Sequence, residues 1–130
     1  MEKELPRIAI TIGDPAGVGP ELALRAAADH ELNRLCTPLI FGDEELLIRV
    51  ADACGFDAPP ASCCGQQHPP KCRHLAEPTI VDLQAVDAQD VTPGEVNAAT
   101  GRAAYRYLEA AIAAAMAGEI DAIATGPMHK

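Results

Sequence analysis

Residues 8–21 read IAITIGDPAGVGPE, and this stretch organises the fold expected for the whole chain. Ile8 to Ile12 make a short apolar run, typical of a strand that is covered on both faces of a parallel sheet. A glycine-rich turn follows, and Pro20 stands at the first helical position, where a missing N–H is tolerated. The pattern predicts a strand, a tight turn and a helix, with free backbone N–H groups at one edge of a sheet.

The glycine loop, defined here as residues 13–19, has two interpretations. In one, Gly13, Gly17 and Gly19 allow the backbone to approach a phosphate or a cofactor closely. In the other, the glycines only allow the chain to reverse direction. Asp14 either orients a ribose hydroxyl or a substrate donor, or caps the following helix. Neither the Walker pattern nor the dinucleotide fingerprint continues beyond the loop, so no nucleotide signature is present.

Composition predicts an α/β protein with a core of small aliphatic side chains. The 130 residues are 48% hydrophobic, but only 3% are aromatic and there is no Trp. Small side chains allow helices to pack close to a sheet. The net charge of −9 argues against nucleic-acid binding, and it makes recognition of an anionic substrate dependent on local positive groups or helix N-termini.

Localisation follows from what the sequence contains. The N-terminus has mixed charge and no apolar region of signal-peptide length, and the longest apolar stretch, near residues 110–117, is far shorter than a bilayer span. Five cysteines leave one unpaired under full oxidation, which disfavours a secreted disulfide framework. The sequence predicts a cytoplasmic protein without a membrane segment.

The first half of the chain predicts two β-α units in succession. A helix from Glu21 to about Leu35 is followed by a strand at 39–41 and by a second helix that Asp43 caps and Gly55 ends. The residues expected to face inward are Leu22, Ala26, Leu32 and Leu35 in the first helix, and Leu46, Leu47, Val50, Ala51 and Cys54 in the second.

The second half begins with a different kind of segment. Residues 57–78 hold five prolines, which exclude a long helix or a central strand, and we expect a variable Pro- and Cys-rich loop. A strand is predicted over 79–83. Thr92-Pro93-Gly94-Glu95 is typical of a capping box that opens a helix, and Thr100 is the alternative cap.

This last helix is predicted to reach Ala117, and its inward stripe is expected to be Tyr105, Leu108, Ile112 and Ala115. Tyr105 is expected in the core and Arg106 in solvent. A final strand over 120–124 precedes the loop Thr125-Gly126-Pro127.

Thr125, Gly126, His129 and Lys130 form the second candidate site. Open α/β sheets bind ligands beyond the carboxyl ends of their strands, and both this loop and the glycine loop leave strands at that edge. Lys suits a phosphate or an oxyanion, and His exchanges protons near neutrality. The alternative is that both side chains are simply solvated. Because the last strand has no following element, we expect the chain to be the N-terminal part of a longer enzyme.

A third cluster combines thiols and imidazoles within twelve residues: Cys63, Cys64, His68, Cys72 and His74. These are suitable zinc ligands, but adjacent cysteines do not have the usual spacing of a zinc site. A variable surface loop is the favoured interpretation, and a structural metal is the alternative.

Two of these motifs resemble a known family. Ala124-Thr125-Gly126-Pro127-Met128-His129-Lys130 is similar to the Thr-Gly-Pro-x-His-Lys segment of the 4-hydroxythreonine-4-phosphate dehydrogenases, and the segment 13–21 is similar to their N-terminal loop. Thr100-Gly101-Arg102 before an Ala-rich helix fits the same order. The similarity covers roughly the first third to two-fifths of such a protein, and it carries no match at about 55–90.

The resemblance implies a three-layer α/β sandwich like that of the isocitrate and isopropylmalate dehydrogenases. It implies an NAD- or NADP-dependent enzyme that oxidises and decarboxylates a phosphorylated hydroxy acid and works as a homodimer. The long helix is a candidate part of the dimer contact. The family's divalent metal (Zn, Mg or Co) is held by histidines expected beyond residue 130, and no catalytic residue is expected within this chain, which alone should be inactive.

Two other functions remain open. A paralogue acting on threonate 4-phosphate, erythronate 4-phosphate or a dihydrodiol would share the scaffold. A non-catalytic anion-binding module would use the glycine loop to hold a phosphate without transforming it.

Overall fold

The computed structural model describes residues 4–127, which form one parallel sheet with helices on both faces. The strands lie in the order β3-β4-β2-β1-β5, and every neighbouring pair is parallel. Their bounds are β1 Arg7–Thr11, β2 Thr37–Gly42, β3 Ala61–Cys64, β4 Thr79–Asp82 and β5 Ala122–Thr125.

Four α-helices connect these strands: α1 Gly19–Ala28, α2 His30–Leu35, α3 Glu44–Cys54 and α4 Ala98–Met116. The connections through α1 and α3 lead along the sheet in one direction, and the connection through α4 leads back across it to the other edge. Because parallel crossovers are right-handed, opposite directions place their helices on opposite faces. The predicted three-layer α/β sandwich is confirmed. None of the helices between residues 4 and 127 combines the length and apolarity that crossing a membrane requires.

The central strands form the core as the sequence predicts. Every residue of β2 is buried, and the register places Ala9 of β1 between Leu39 of β2 and Ile123 of β5. The predicted strands over 8–12, 39–41 and 79–83 are confirmed, with ends that differ by at most two residues. The strand predicted over 120–124 begins two residues later and ends one residue later.

The helix predicted from Glu21 to Leu35 is two helices, and its expected inward face is wrong. Asp29 interrupts it, because its carboxylate accepts hydrogen bonds from the amides of Glu31 and Leu32 and so begins α2. Leu22 and Leu35 are exposed. The buried residues of α1 are Gly19, Pro20, Ala23, Leu24 and Ala27. Apart from Leu24 these are small, which lets the helix lie close to the sheet.

The second helix is confirmed over Glu44–Cys54, and Gly55 ends it with a left-handed backbone, φ +77°. Leu46, Leu47 and Ala51 are buried as predicted, whereas Cys54 is exposed. Asp43 is the N-cap residue, as predicted, but its side chain makes no capping hydrogen bond. Its carboxylate instead accepts hydrogen bonds from a neighbouring loop, as described below.

Residues 57–78 contain no long helix and no central strand, as predicted, but they are not entirely loop. β3 lies within them at the edge of the sheet, paired only with β4 among the described strands. The edge position explains why a proline-rich segment can still contribute a short strand.

The long helix begins later than the first predicted cap. The turn over 92–95 precedes it, and the helix starts at Ala98 with Asn97 as its N-cap. Asn97 accepts from the Thr100 amide at 2.9 Å, while the Thr100 hydroxyl accepts from the Asn97 amide at 3.0 Å. This reciprocal pair is a capping box in which Asn and Thr replace the usual Ser/Thr and Glu.

The predicted inward stripe of α4 is wrong. Tyr105 is 65% exposed, and Ile112 is exposed as well. The face packed on the sheet consists of Thr100, Ala103, Ala104, Tyr107, Ala110, Ala111 and Ala114. α4 thus contacts the sheet through alanines and one buried tyrosine, and its larger aliphatic side chains face outward.

The amino end of the sheet is fastened by charged side chains. Arg73 donates to both carboxylate oxygens of Asp121 at 3.1 and 3.2 Å, and to the carbonyl of Gly118. Glu119 accepts from the amides of Cys72 and Arg73 at 2.8 and 3.0 Å. The segment before β4 is therefore attached to the turn between α4 and β5.

These contacts predict an acid-sensitive stability. The Arg73 hydrogen bonds hold the pKa of Asp121 below its ordinary 3.8, and the amide hydrogen bonds hold the pKa of Glu119 below its ordinary 4.5. A depressed carboxyl pKa stabilises the folded state above the unfolded value, and this contribution is lost as the pH falls through the folded value. We expect the free energy of unfolding to decrease below about pH 4.5. In Arg73→Gln this decrease should be smaller; an unchanged pH profile in urea titrations would contradict the assignment.

Candidate functional site

The carboxyl ends of β1 and β5 meet where the strand order reverses. In the sheet, β1 lies between β2 and β5. The chain leaves β1 through α1 toward β2 on one side, and it later returns from β4 through α4 to β5 on the other side of β1. Open α/β sheets bind ligands at such a switch point, in the crevice outside the carboxyl ends of the strands. The glycine loop leaves β1 at this point, and the loop 125–127 leaves β5 beside it.

The two loops contact each other, as the sequence predicted. The amide of Asp14 donates to the carbonyl of Pro127 at 3.2 Å, and the amide of Gly126 donates to the carbonyl of Thr11 at 2.7 Å. One continuous backbone surface therefore covers the end of β1.

Three of the predicted site glycines serve backbone packing. A Cβ on Gly13 would lie under 3.0 Å from the backbone of Pro127. A Cβ on Gly19 or on Gly126 would also lie under 3.0 Å from the carbonyl of Ile12. Gly13 also has a left-handed φ of +69°. The space that these glycines open is filled by the protein's own chain rather than left for a ligand.

Gly17 differs from the other three. It is exposed, and a Cβ added at this position would make only an ordinary van der Waals contact. Its amide donates to the Asp14 carbonyl at 2.9 Å. Val18 beside it is 58% exposed and begins α1, whose first amides have no partner within the helix. The tip formed by Gly17 and Val18 is the accessible part of the glycine loop.

The predicted Asp14 cap on the following helix is wrong, because the N-cap of α1 is Val18. The Asp14 side chain is 2% exposed. One carboxylate oxygen accepts from the Ala16 amide at 2.8 Å, and the other from the Thr100 hydroxyl at 3.2 Å. Thr100 was predicted only as a helix cap, and its contact with residue 14 could not be read from sequence because 86 positions separate them.

An apolar groove adjoins the accessible tip. It encloses about 230 Å³ between the glycine loop, α3 and the segment 91–93. Its walls include Pro15, Val18, Leu46 and Pro93. This volume is below the range typical of whole-ligand pockets, so the groove suits one planar ring rather than an entire dinucleotide.

A larger open groove of about 550 Å³ lies further along the same edge, at the ends of β2 and β4. Its acidic residues are Asp43, Glu45, Asp82 and Asp87. Asp43 accepts from the amides of Ala85 and Val86, both at 2.9 Å, and burial raises its pKa although these amides act in the opposite direction. Asp43 thus fastens the loop after β4, and this groove would repel anions.

The remaining predicted site residues lie in or beyond β5. Thr125 is exposed at the end of β5, paired with Thr11 of β1. His129 and Lys130 fall outside the described residues, so their predicted roles stay predictions.

The cysteine and histidine cluster does not form a metal site in the described part of the chain. Between residues 4 and 127 no group of three His, Cys, Asp or Glu side chains is placed to hold an ion. Cys72 is fully buried, and burial raises the pKa of its thiol to about 12, whereas Cys64 of the same cluster is exposed. The metal alternative is therefore wrong for these residues.

Comparison with known proteins assigns the scaffold to a family. The profile of the pyridoxal phosphate biosynthetic protein PdxA matches residues 34–130, well over half of the chain. The chain belongs to the PdxA family. The family resemblance predicted from the two end motifs is confirmed.

Relatives of this PdxA-family chain are named as dehydrogenases. It is 36% identical over 127 residues to a protein of Symbiobacterium thermophilum provisionally named D-threonate 4-phosphate dehydrogenase, covering 96% of this chain and 37% of that protein. It is 33% identical over 132 residues to the 4-hydroxythreonine-4-phosphate dehydrogenase of Trichlorobacter lovleyi, covering 100% of this chain and 38% of that enzyme.

A solved structure shows the same PdxA fold. The crystal structure of a 4-hydroxythreonine-4-phosphate dehydrogenase from Burkholderia phymatum superposes with a TM-score of 0.81 and 32% identity. The match covers 98% of this chain and 38% of that structure. The chain thus spans between a third and two-fifths of the length of the relatives that it matches.

Proposed function

We propose that this chain supplies the switch-point half of the active site of an NAD- or NADP-dependent dehydrogenase of phosphorylated hydroxy acids. The observation that carries the proposal is the contact between the glycine loop and the loop 125–127 at the carboxyl ends of β1 and β5. Proteins named 4-hydroxythreonine-4-phosphate dehydrogenase share the family and the fold. The proposed reaction is oxidation and decarboxylation of 4-phosphohydroxy-L-threonine.

A second substrate is favoured by the comparison with the Symbiobacterium protein, whose name gives D-threonate 4-phosphate. Both substrates are four-carbon acids with a hydroxyl on the carbon next to the phosphorylated one. Oxidation of that hydroxyl is therefore the same class of reaction in both. Erythronate 4-phosphate and a dihydrodiol remain further alternatives from the sequence.

The residues of this chain would bind and orient rather than react. A nicotinamide cofactor, when bound, accepts the hydride. The accessible tip at Gly17 and Val18 presents the Val18 amide at the start of α1, where a phosphate is attracted, and the apolar groove beside it suits a planar ring. Thr125 lies at the end of the neighbouring strand. We propose that His129 and Lys130, which follow in the sequence, bind the substrate. Gly13 and Gly126 contribute by keeping the two loops in contact, and Gly19 contributes by letting the start of α1 lie against the end of β1.

The divalent metal implied by the resemblance does not fit residues 4–127, which offer no ligand set for it. Its histidine ligands are expected in the part of the family's sequence that follows the matched segment.

The proposed assembly is a cytoplasmic homodimer, and the outward face of α4 is the candidate contact. This face carries Tyr105, Leu108, Ile112 and Met116, spaced along one side of the helix. Contiguous exposed apolar patches mark interaction sites on proteins, and this row of side chains is the candidate patch. Sedimentation at micromolar concentration tests the proposal, and a monomer would contradict it.

The function is tested with the purified protein that contains this chain, supplied with a divalent metal and NAD⁺ or NADP⁺. We expect cofactor reduction that depends on 4-phosphohydroxy-L-threonine or D-threonate 4-phosphate. Binding of inorganic phosphate without turnover of any phosphorylated hydroxy acid would instead support the non-catalytic anion-binding module.

A matched pair of variants tests the place of the site. Val18→Asp adds a negative charge at the accessible tip, whereas Val18→Asn adds a side chain of similar size without charge. We expect Val18→Asp to raise the KM for the cofactor about tenfold relative to Val18→Asn, since charge repulsion near a bound phosphate exceeds about 1 kcal/mol. Equal KM values for the two variants would place the cofactor phosphate elsewhere.

A further inference from the structure

Asp14 is the residue at which three parts of the fold meet. Its amide donates to Pro127 in the loop after β5, and its carboxylate accepts from Thr100 in the first turn of α4. It also holds its own loop, because its second carboxylate oxygen accepts from Ala16 and its carbonyl accepts from Gly17. No other residue of the glycine loop has hydrogen bonds to both the loop after β5 and α4 among those found in residues 4–127.

We propose that the buried hydrogen bond between Asp14 and Thr100 is a positioning contact, which sets the shape of the accessible tip, and that Asp14 does not contact the ligand. The ligand part of this inference rests on the proposed function. Asp14 is 2% exposed and Thr100 is 0% exposed, so neither side chain reaches the solvent side where a ligand would arrive.

The environment of the carboxylate favours this role. Thr100 occupies the third position of α4, and negative charge is favoured near the start of a helix. The Thr100 hydroxyl has one proton and two acceptors within reach, the Asp14 carboxylate at 3.2 Å and the Asn97 carbonyl at 3.0 Å. The carboxylate is the favoured acceptor, because hydrogen bonds to a charged group are stronger than those between neutral groups and gain further when water is excluded. The start of α4 therefore stabilises the carboxylate, and the carboxylate holds the glycine loop against α4.

The contact reaches the ligand side through the backbone. The Asp14 carboxylate holds the Ala16 amide, the Ala16 carbonyl accepts from Gly94 at 2.8 Å, and the turn ends at the exposed Gly17. Releasing Thr100 from Asp14 frees one end of this turn. The backbone at the tip would then sample several orientations. A ligand that binds there has to order it, and the loss of conformational entropy weakens binding.

The structural part is tested without any ligand, by amide hydrogen exchange. Thr100→Val removes the hydroxyl and keeps the size and branching of the side chain, while Thr100→Ser retains the hydroxyl. In Thr100→Val we expect exchange at Gly17 and Gly94 to accelerate about tenfold or more, as loss of a hydrogen bond to a charged group implies. Thr100→Ser should restore the wild-type exchange.

Asn97→Ala provides the matched control for helix fraying. It removes the other half of the capping box and leaves the Asp14 and Thr100 side chains in place. If the Gly17 amide exchanges as slowly in Asn97→Ala as in the wild type, the result supports the inference. Acceleration equal to that in Thr100→Val would overturn it, because the effect would then come from fraying of α4.

The ligand part is tested by titrating NAD⁺ into the wild type, Asp14→Asn and Thr100→Val. A positioning role predicts that both variants weaken NAD⁺ binding to a similar extent and that Thr100→Ser restores it. Loss of binding in Asp14→Asn alone would show that Asp14 contacts the ligand and would overturn the inference. Asp29→Asn, the same substitution at the N-cap of α2 away from the strand ends, should bind NAD⁺ like the wild type. If the wild type itself binds no NAD⁺, the proposed function fails, while the exchange experiment still decides the positioning contact.

Discussion

Gly19→Ala is expected to destabilise the folded protein more than any other single substitution considered in the glycine loop. A Cβ at this position would lie under 3.0 Å from the carbonyl oxygen of Ile12, a backbone atom at the end of β1 that no side-chain rotation can move away. Relief requires α1 to separate from the central strand, which opens the packing of Ala23 and Leu24 as well. We expect a loss of about 3 kcal/mol or more in the free energy of unfolding, at or above the upper end of ordinary overpacking.

Gly101→Ala is the matched control, and its effect should have the opposite sign. Gly101 lies inside α4, is exposed, and an added Cβ would meet nothing within 4 Å. Ala is favoured over Gly in a helix interior by about 0.5–1 kcal/mol. Urea unfolding followed by circular dichroism measures both variants. A Gly19→Ala protein as stable as the wild type would mean that the glycine loop does not pack on β1 as described.

Tyr107→Ala should cost about 3–5 kcal/mol of stability, whereas Tyr105→Ala should change it by less than about 0.5 kcal/mol. The two residues are separated by one position on the same helix, but Tyr107 is 0% exposed and Tyr105 is 65% exposed. Truncating the buried ring leaves a cavity between α4 and the sheet, and truncating the exposed ring leaves none. The comparison therefore tests which face of α4 packs on the sheet. Equal losses in the two variants, or a larger loss in Tyr105→Ala, would contradict the observed orientation.

Tyr107→Phe isolates the hydroxyl. The hydroxyl is buried and forms no hydrogen bond of good geometry with residues 4–127. Burial and the nearby Asp43 carboxylate raise the pKa of Tyr107, so the group stays protonated at neutral pH. Because an unsatisfied buried hydroxyl contributes little, Tyr107→Phe should cost at most about 1 kcal/mol. A cost as large as that of Tyr107→Ala would indicate that the hydroxyl, not the ring, stabilises the fold.

The orientation of α4 shows why sequence patterns failed here. The pattern Tyr105, Leu108, Ile112, Ala115 has helical spacing and larger hydrophobic side chains than the true inward face. Size is a poor guide when a helix lies close to a sheet, because alanines allow the shortest approach. The same error occurred in α1, where Leu22 was expected inward and Ala23 is buried instead.

The predictions of the helix caps failed for a related reason. Thr92 to Glu95 and Asn97 to Thr100 both fit a capping pattern, and a single sequence does not rank them. The actual choice depends on Asp14, which accepts from Thr100, and on Gly94, which donates to Ala16 in the glycine loop. Likewise, Asp43 faces the amides of the loop after β4 rather than its own helix.

By itself, the sequence determined four of the five strands, the parallel sheet and the edge from which the two glycine-containing loops leave, whereas the three-layer arrangement was implied by the family resemblance. These features depend on local patterns: short apolar runs, proline and glycine positions, and the right-handed connection between parallel strands. Only the tertiary structure decided which face of α4 is buried, which residue caps it, and that Asp14 points into the protein. Each of those outcomes depends on the partner that another part of the chain brings within a few ångströms, and local spacing does not encode the identity of that partner.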